Sequence, residues 1–250
     1  MKLDASGNFL WARSFGDVGS DGGNCIKVDA SGNVYTVGTF AGTVDFDPGA
    51  NVFSLTSSGN DYMFLAKLDA SGNFVWAKQL GGGKPVTLDL DNSGSAYITG
   101  SFGATADFDP GSGTFNMTPV GGFDIFLQKL DVAGNFVWAK QIGGNANEGG
   151  YFVKTDASGN LYLTGIFTGT VDFDPGTGTT NLTSGGVSDI FIVKLNSSGN
   201  LTWAKQFKSA SNGNPNSSVS LDLDDSGNVY PTGWFHQAMD FDPGAGTLIL

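Results

Sequence analysis

One cysteine, Cys25, stands in 250 residues, so neither an intrachain disulfide nor a thiolate metal cluster can be built from this chain. The expected place for Cys25 is a buried apolar site. Histidine is as scarce. His236 is the only one, which leaves no histidine pair, Ser-His-Asp triad or histidine-rich zinc centre to assemble from the chain alone. No serine lies in a recognisable nucleophile motif, and the chain reads as non-enzymatic. Basic residues are few: 12 against 24 acidic, for a net charge of −12 and a pI near 4.2. Such a field repels phosphate, so nucleic acid and anionic membrane surfaces are poor partners, and cations or neutral ligands are compatible ones. No apolar run is long enough to insert in a bilayer, and residues 1–30 lack a basic start followed by an apolar core. The chain is therefore cytoplasmic or has lost an export signal. A lysine-poor composition rich in Gly, Ser, Asn, Thr and Asp points to an extracellular or cell-surface bacterial protein. Helical periodicity is absent throughout.

What is present is a pentad. Asp69-Ala70-Ser71-Gly72-Asn73 recurs with small changes at Asp4, Asp29, Asp91, Asp131, Asp156, Asn196 and Asp224. Each copy joins two alternating apolar segments, as Phe64–Leu68 is joined to Phe74–Lys78, which is the pattern of a β-hairpin. The acidic residue can bond its own following backbone, Ala70 and Ser71 suit a type I turn, and Gly72 supplies a left-handed residue in a bulge. The 39 glycines thus mark turns rather than low complexity, and 40% hydrophobic content with 12% aromatic residues is enough for one large all-β domain.

The hairpins are separated alternately by short and long intervals, so the repeat is about 65 residues and holds two of them. One repeat reads as four strands, illustrated by 25–29, 34–40, 62–68 and 74–80. Four antiparallel strands repeated radially make a propeller blade, and closing the ring removes long exposed edges. The expected fold is all-β: a β-propeller of about four four-stranded antiparallel blades, with units at about 16–80, 81–142, 143–206 and 207–250 plus 1–15. A linear β-solenoid is the rival, but its rungs are usually shorter and parallel. The last repeat stops short of its third strand, and Lys2 resumes at the equivalent of Lys194. Residues 8–15 would then close the ring as an outermost strand, leaving a weak seam. The alternatives are a piece of a longer propeller, or a homo-oligomer in which two chains complete one ring.

The runs Trp138–Gly144, Thr155–Gly165 and Asp189–Leu195 carry a resemblance that covers nearly all of the chain. They are similar to the SBBP β-propeller repeat, a family found largely in secreted and cell-surface bacterial proteins. The resemblance implies the fold and is nearly silent on activity. It brings no catalytic residues, and the Asp-Phe-Asp-Pro-Gly segment after the second strand departs from the common family pattern.

That segment supplies the main chemical candidates: Asp45/Asp47, Asp107/Asp109, Asp172/Asp174 and Asp240/Asp242. Two carboxylates spaced two apart in a turning loop can converge on a hard cation such as Ca²⁺. Equally, Asp before Pro-Gly opens an ordinary turn, with Phe46, Phe108, Phe173 and Phe241 as apolar anchors beneath. Trp11, Trp76, Trp138 and Trp203 recur at one place in the repeat and read as packing between blades. On the innermost strands Lys27, Asp89, Lys154 and Asp222 alternate in sign, which would allow pairing around an axis. The ends opposite the hairpins carry the Asp-Phe-Asp-Pro-Gly loops and variable connections (16–24, 81–85, 143–150 and 208–217), where binding to a protein or glycan ligand is expected. The functional reading is a structural or adhesive module; a lectin-like propeller with one glycan site per blade is the alternative.

Overall fold

The computed structural model describes residues 1–57, 62–209, 217–236 and 238–250. Among them every regular element is a strand and every pairing is antiparallel. No helix is long and apolar enough to cross a membrane. An N-terminal hairpin joins β1 (Lys2–Leu3) to β2 (Phe9–Trp11). The first unit follows with β3 (Gly22–Val28), β4 (Val34–Phe40), a short pair β5 (Thr43–Asp45) and β6 (Ser54–Thr56), then β7 (Tyr62–Leu68) and β8 (Phe74–Gly82). The second repeats it as β9 (Lys84–Leu90), β10 (Ala96–Phe102), β11 (Ala106–Asp107), β12 (Asn116–Met117), β13 (Asp124–Leu130) and β14 (Phe136–Gly144). The third is β15 (Gly149–Thr155), β16 (Leu161–Phe167), β17 (Thr170–Asp172), β18 (Asn181–Thr183), β19 (Asp189–Leu195) and β20 (Leu201–Ser209). The chain ends with β21 (Ser217–Leu223), β22 (Val229–Trp234) and β23 (Met239–Asp240).

Strands expected at 34–40 and 62–68 coincide with β4 and β7, whereas the first strand of the unit begins earlier, at Gly22. A bulge between Gly23 and Cys25 lets Gly22 stay paired with Thr39. The same irregularity recurs at Thr99/Gly100, Gly150/Phe152 and Ser218/Ser220. Opposite it sits a glycine that has to be a glycine: a Cβ on Gly38, Gly100, Gly165 or Gly233 would fall on the carbonyl oxygen of Gly22, Lys84, Gly149 or Ser217.

All eight hairpin turns form as the pentad dictates. Their glycines, from Gly7 to Gly227, have φ between 76° and 83°. In the turn at Asp69, Gly72 N–H donates to the Asp69 carbonyl at 3.0 Å, and Oδ1 of Asp69 accepts from Ser71 N and Asn73 N at 2.8 Å each. The Asn73 side-chain amide closes onto Oδ2 at 2.9 Å. These bonds, led by the Asn73 backbone amide, hold the Asp69 carboxyl below the ordinary carboxylate range.

The sheets pack face to face. One core joins the first two units through Val37, Leu65, Leu88 and Ile98, and a second joins units two and three through Tyr97, Leu127, Val153 and Leu163. The first strands β3, β9, β15 and β21 lie side by side in that order. Small hairpins lock neighbouring units from outside: β17 pairs with β14 and β23 with β20, each from the following unit back onto the one before.

Candidate functional site

Antiparallel order puts the pentad turns at one end of each unit and the remaining connections at the other. The second end is built on a hairpin not foreseen from sequence. In the first unit β5 and β6 pair through Thr43↔Thr56 and Asp45↔Ser54, and Asp-Phe-Asp-Pro-Gly forms the bend between them. Phe46 is buried there and packs on Phe40 and Phe64 at centroid distances of 5.4 and 4.9 Å. Phe108 and Phe173 repeat the arrangement, also buried, while Phe241 is half-buried.

The paired aspartates behave identically in all four copies. Oδ1 of Asp45 accepts from Asp47 N at 3.0 Å and Phe53 N at 2.8 Å, and Oδ1 of Asp47 accepts from Gly49 N at 2.8 Å. Asp107 and Asp109, Asp172 and Asp174, and Asp240 and Asp242 do the same for their loops. One oxygen of each carboxylate therefore caps the bend, as an Asx turn does. Among the described residues no three His, Cys, Asp or Glu side chains gather in a way that would hold a metal ion.

Connections between units differ in length on this constant frame. Residues 16–21 precede β3, Gly83 alone separates β8 from β9, and residues 145–148 separate β14 from β15. Of the connection at 208–217, residues 210–216 lie outside the described residues. Large apolar side chains stand exposed along these loops and the intra-unit ones, Val18 fully, with Val52, Val120 and Val187.

The 145–148 connection also carries a buried acid that sequence reasoning missed. Glu148, the chain's only glutamate, accepts Gly144 N at 2.9 Å through Oε2, while its Oε1 is buried with no hydrogen-bond partner within 3.5 Å among the described residues. Its neighbour Asp124 is buried as well. Oδ2 of Asp124 accepts from Val120 N at 3.0 Å and the Gln141 amide at 2.6 Å, and among the described residues Oδ1 has no hydrogen-bond partner. Burial first, with the Asp124 charge adding to it against the bond from Gly144, pushes the Glu148 carboxyl up to about 7. The signal available in sequence was the singularity of a glutamate in a variable connection.

On the neighbouring strands β3, β9, β15 and β21, Lys27 and Asp89 pair at 3.0 Å and so do Lys154 and Asp222. Asp89 also accepts from Thr155 N at 2.8 Å, which ties the second unit to the third. The hydrogen bond from Lys154 lowers the Asp222 carboxyl most, and the charge of Lys27, on the first unit, lowers it further. On the sheet face each complete unit aligns a Tyr, a Lys and a Trp. The Lys67 ammonium lies 4.7 Å from the Tyr35 ring and Trp76 meets that ring edge-on at 5.9 Å. Tyr97, Lys129 and Trp138 repeat this, as do Tyr162, Lys194 and Trp203. The tryptophans pack between units as expected, Trp76 over Gly134 and Trp138 over Gly199. Cys25 is half-buried, 3.6 Å from the Thr87 hydroxyl.

No family model matches the chain. It is 27% identical over 223 residues to an uncharacterized WD repeat-containing protein of Acanthamoeba polyphaga mimivirus, covering 78% of this chain and 16% of that protein. Regulatory protein FlaEY of Caulobacter vibrioides is 26% identical over 138 residues, 54% of this chain and 14% of its own length. The chain thus spans less than a fifth of each relative it matches. Together with three successive copies of one four-stranded unit, the likeness makes this a repeat-built all-β protein.

Proposed function

We propose that the chain is a noncatalytic, β-propeller-type interaction module of about four blades, secreted or displayed on a cell surface, that binds through the loop end opposite the pentad turns. The observation that carries this reading is the contrast between a repeated frame and a loop end whose inter-unit connections vary in length, with Val18 exposed in the first of them and Val52, Val120 and Val187 exposed in loops within the units. The WD-repeat likeness supports a protein-binding role.

The ligand we propose is a protein; a glycan held once per blade is the second reading, favoured by the fourfold repetition of the same loop. Calcium at the paired aspartates belongs to the same proposal, since among the described residues only Oδ1 of each carboxylate accepts a hydrogen bond.

Labelled full chain, applied to extracellular-protein and glycan arrays in calcium and in chelator, is expected to give saturable binding on the protein array. Replacing the four exposed valines with serine should weaken it at least tenfold while circular dichroism stays β-rich. Wild-type binding by that variant overturns the loop-end reading, and binding confined to glycans selects the lectin. Retention that is identical in chelator and in calcium removes the ion from the account.

A further inference from the structure

Units two and three are built alike, yet they use one acid differently. Asp124 and Asp189 open β13 and β19, opposite Phe102 and Phe167. In the third unit Oδ2 of Asp189 accepts from Gly185 N at 2.8 Å and from the Gln206 amide, and Oδ1 accepts from Ser209 N, at the end of β20, at 2.9 Å. The second unit keeps the first two bonds, from Val120 N and the Gln141 amide to Oδ2 of Asp124. The third is exchanged. Gly144 N, at the matching end of β14, donates instead to Oε2 of Glu148 at 2.9 Å, and among the described residues Oδ1 of Asp124 has no hydrogen-bond partner. That oxygen nevertheless lies close to the donor: a Cβ on Gly143, one residue before Gly144, would stand 2.6 Å from it.

Glu148 is held in this position by two interlocked loops. Gly122 N donates to the Ala146 carbonyl at 2.8 Å, Phe123 N to Oδ1 of Asn147 at 3.0 Å, and Glu148 N to the Phe123 carbonyl at 2.7 Å. Val120 and Phe123, in the same loop, are exposed, whereas Glu148 and Asp124 are buried. Few groups face the Glu148 carboxyl: Asp124 from β13, Gly144 N from β14 and Thr168 N from the turn after β16. Asp172, beside Gly143 on β17, has its Oδ1 occupied by its own bend, and Tyr151, on β15, carries a phenol that burial raises above its ordinary value. Among the described residues neither Glu148 nor Asp124 has an ion-pair partner. A buried carboxylate without a counter-charge is costly, and a second one beside it adds repulsion; a neutral carboxyl avoids both penalties.

We infer that Glu148 is a pH-operated clasp. Neutral, it holds the 145–148 connection and the 120–123 loop against the end of β14; ionised, it withdraws to water, Gly144 N–H passes to Oδ1 of Asp124 as Ser209 N–H does to Asp189, and the two loops part. The exchange leaves Gly144 N–H paired, which keeps the free energy of opening low. Burial and the Asp124 charge place the change near pH 7, because they push the Glu148 carboxyl up to about 7. Opening loosens the segment that carries Val120 at the loop end, but the clasp does not depend on what that end binds.

Labelling the glutamate side-chain carboxyl with carbon-13 gives a single resonance in the full chain, because Glu148 is the only glutamate, and its pH titration is followed beside native-state amide exchange. The resonance is expected to titrate near 7 rather than near 4.5. Over the same interval the protection of Gly122, Phe123 and Glu148 N–H, corrected for intrinsic exchange, should fall at least tenfold while Gly185 and Ser209 keep theirs. Glu148→Gln, which retains an acceptor for Gly144 N, should hold that protection constant with pH. Titration near the ordinary value, protection unchanged through a titration near 7, a loss shared equally by Gly185 and Ser209, or an equal loss in the Gln variant overturns the clasp. All but the last of these readings need only the wild-type chain, so the test stands even where the variant fails to fold.

Discussion

Gly165→Ala is expected to remove more than about 3 kcal/mol of stability, a large part of what a domain possesses. The added methyl would fall on the Gly149 carbonyl oxygen on one side and 2.9 Å from the Phe191 ring on the other. Neither can retreat: Gly149 is held by the bulge that pairs it with Ile166, and Phe191 is buried against Phe173. Overpacking that relaxes into soft surroundings costs about 1–3 kcal/mol, and a backbone obstacle inside a sheet is harder to relax. Gly82→Ala is the control. It lies in a strand with open space at the Cβ position and should change stability by less than about 0.5 kcal/mol. Urea midpoints compare the two; equal midpoints would mean that the bulge does not impose this close approach.

The second large effect is pH-dependent and comes from Glu148. Its carboxyl titrates near 7 in the folded protein against 4.5 as an ordinary side chain. A raised acid favours the protonated form on folding, so its cost is absent below about 4.5, grows as pH rises between the two values, and is complete above 7. Glu148→Gln keeps an acceptor for Gly144 N and removes the buried charge beside Asp124. At pH 8 the variant should be more stable than wild type by about 2 kcal/mol, and the difference should vanish near pH 4.5. A gain that is equal at both pH values would contradict this origin. The turn aspartates act in the opposite sense. Asp69 and its equivalents sit below their ordinary 3.8, so their stabilisation holds above that value and is lost as pH falls through the lowered one. Wild type should accordingly be most stable between the two limits, in mildly acid solution.

The turns were fully legible in the sequence because their chemistry is local: Asp, Ser, Gly and Asn within five residues close every bond they make. Strand positions followed from the turns. What escaped depends on contacts between distant residues. The hairpin β5–β6 is only three residues a side and gains its place by docking Phe46 among Phe15, Phe40 and Phe64. The bulge glycines announce themselves as glycines inside strands, yet only the pairing shows which carbonyl each one accommodates. Trp76 and its equivalents were readable as packing residues since they recur in every unit. Their Tyr and Lys partners come from neighbouring strands in exact register, at Tyr35↔Lys67 and Lys67↔Trp76, and a single strand cannot display that. For the paired aspartates, sequence gave the spacing, and the structure adds that one oxygen of each already serves the backbone.

The central claim, that these units form a ring rather than an open stack, is tested most directly by electron–electron distance measurement between nitroxide labels on exposed turn serines. With Cys25 replaced by serine, labels at Ser31 and Ser93 report one unit-to-unit step, and labels at Ser31 and Ser226 report the span from first unit to last. A four-unit ring predicts that the two distances are similar, because the last unit lies beside the first. A distance from Ser31 to Ser226 about three times the single step, as a linear solenoid requires, would contradict it.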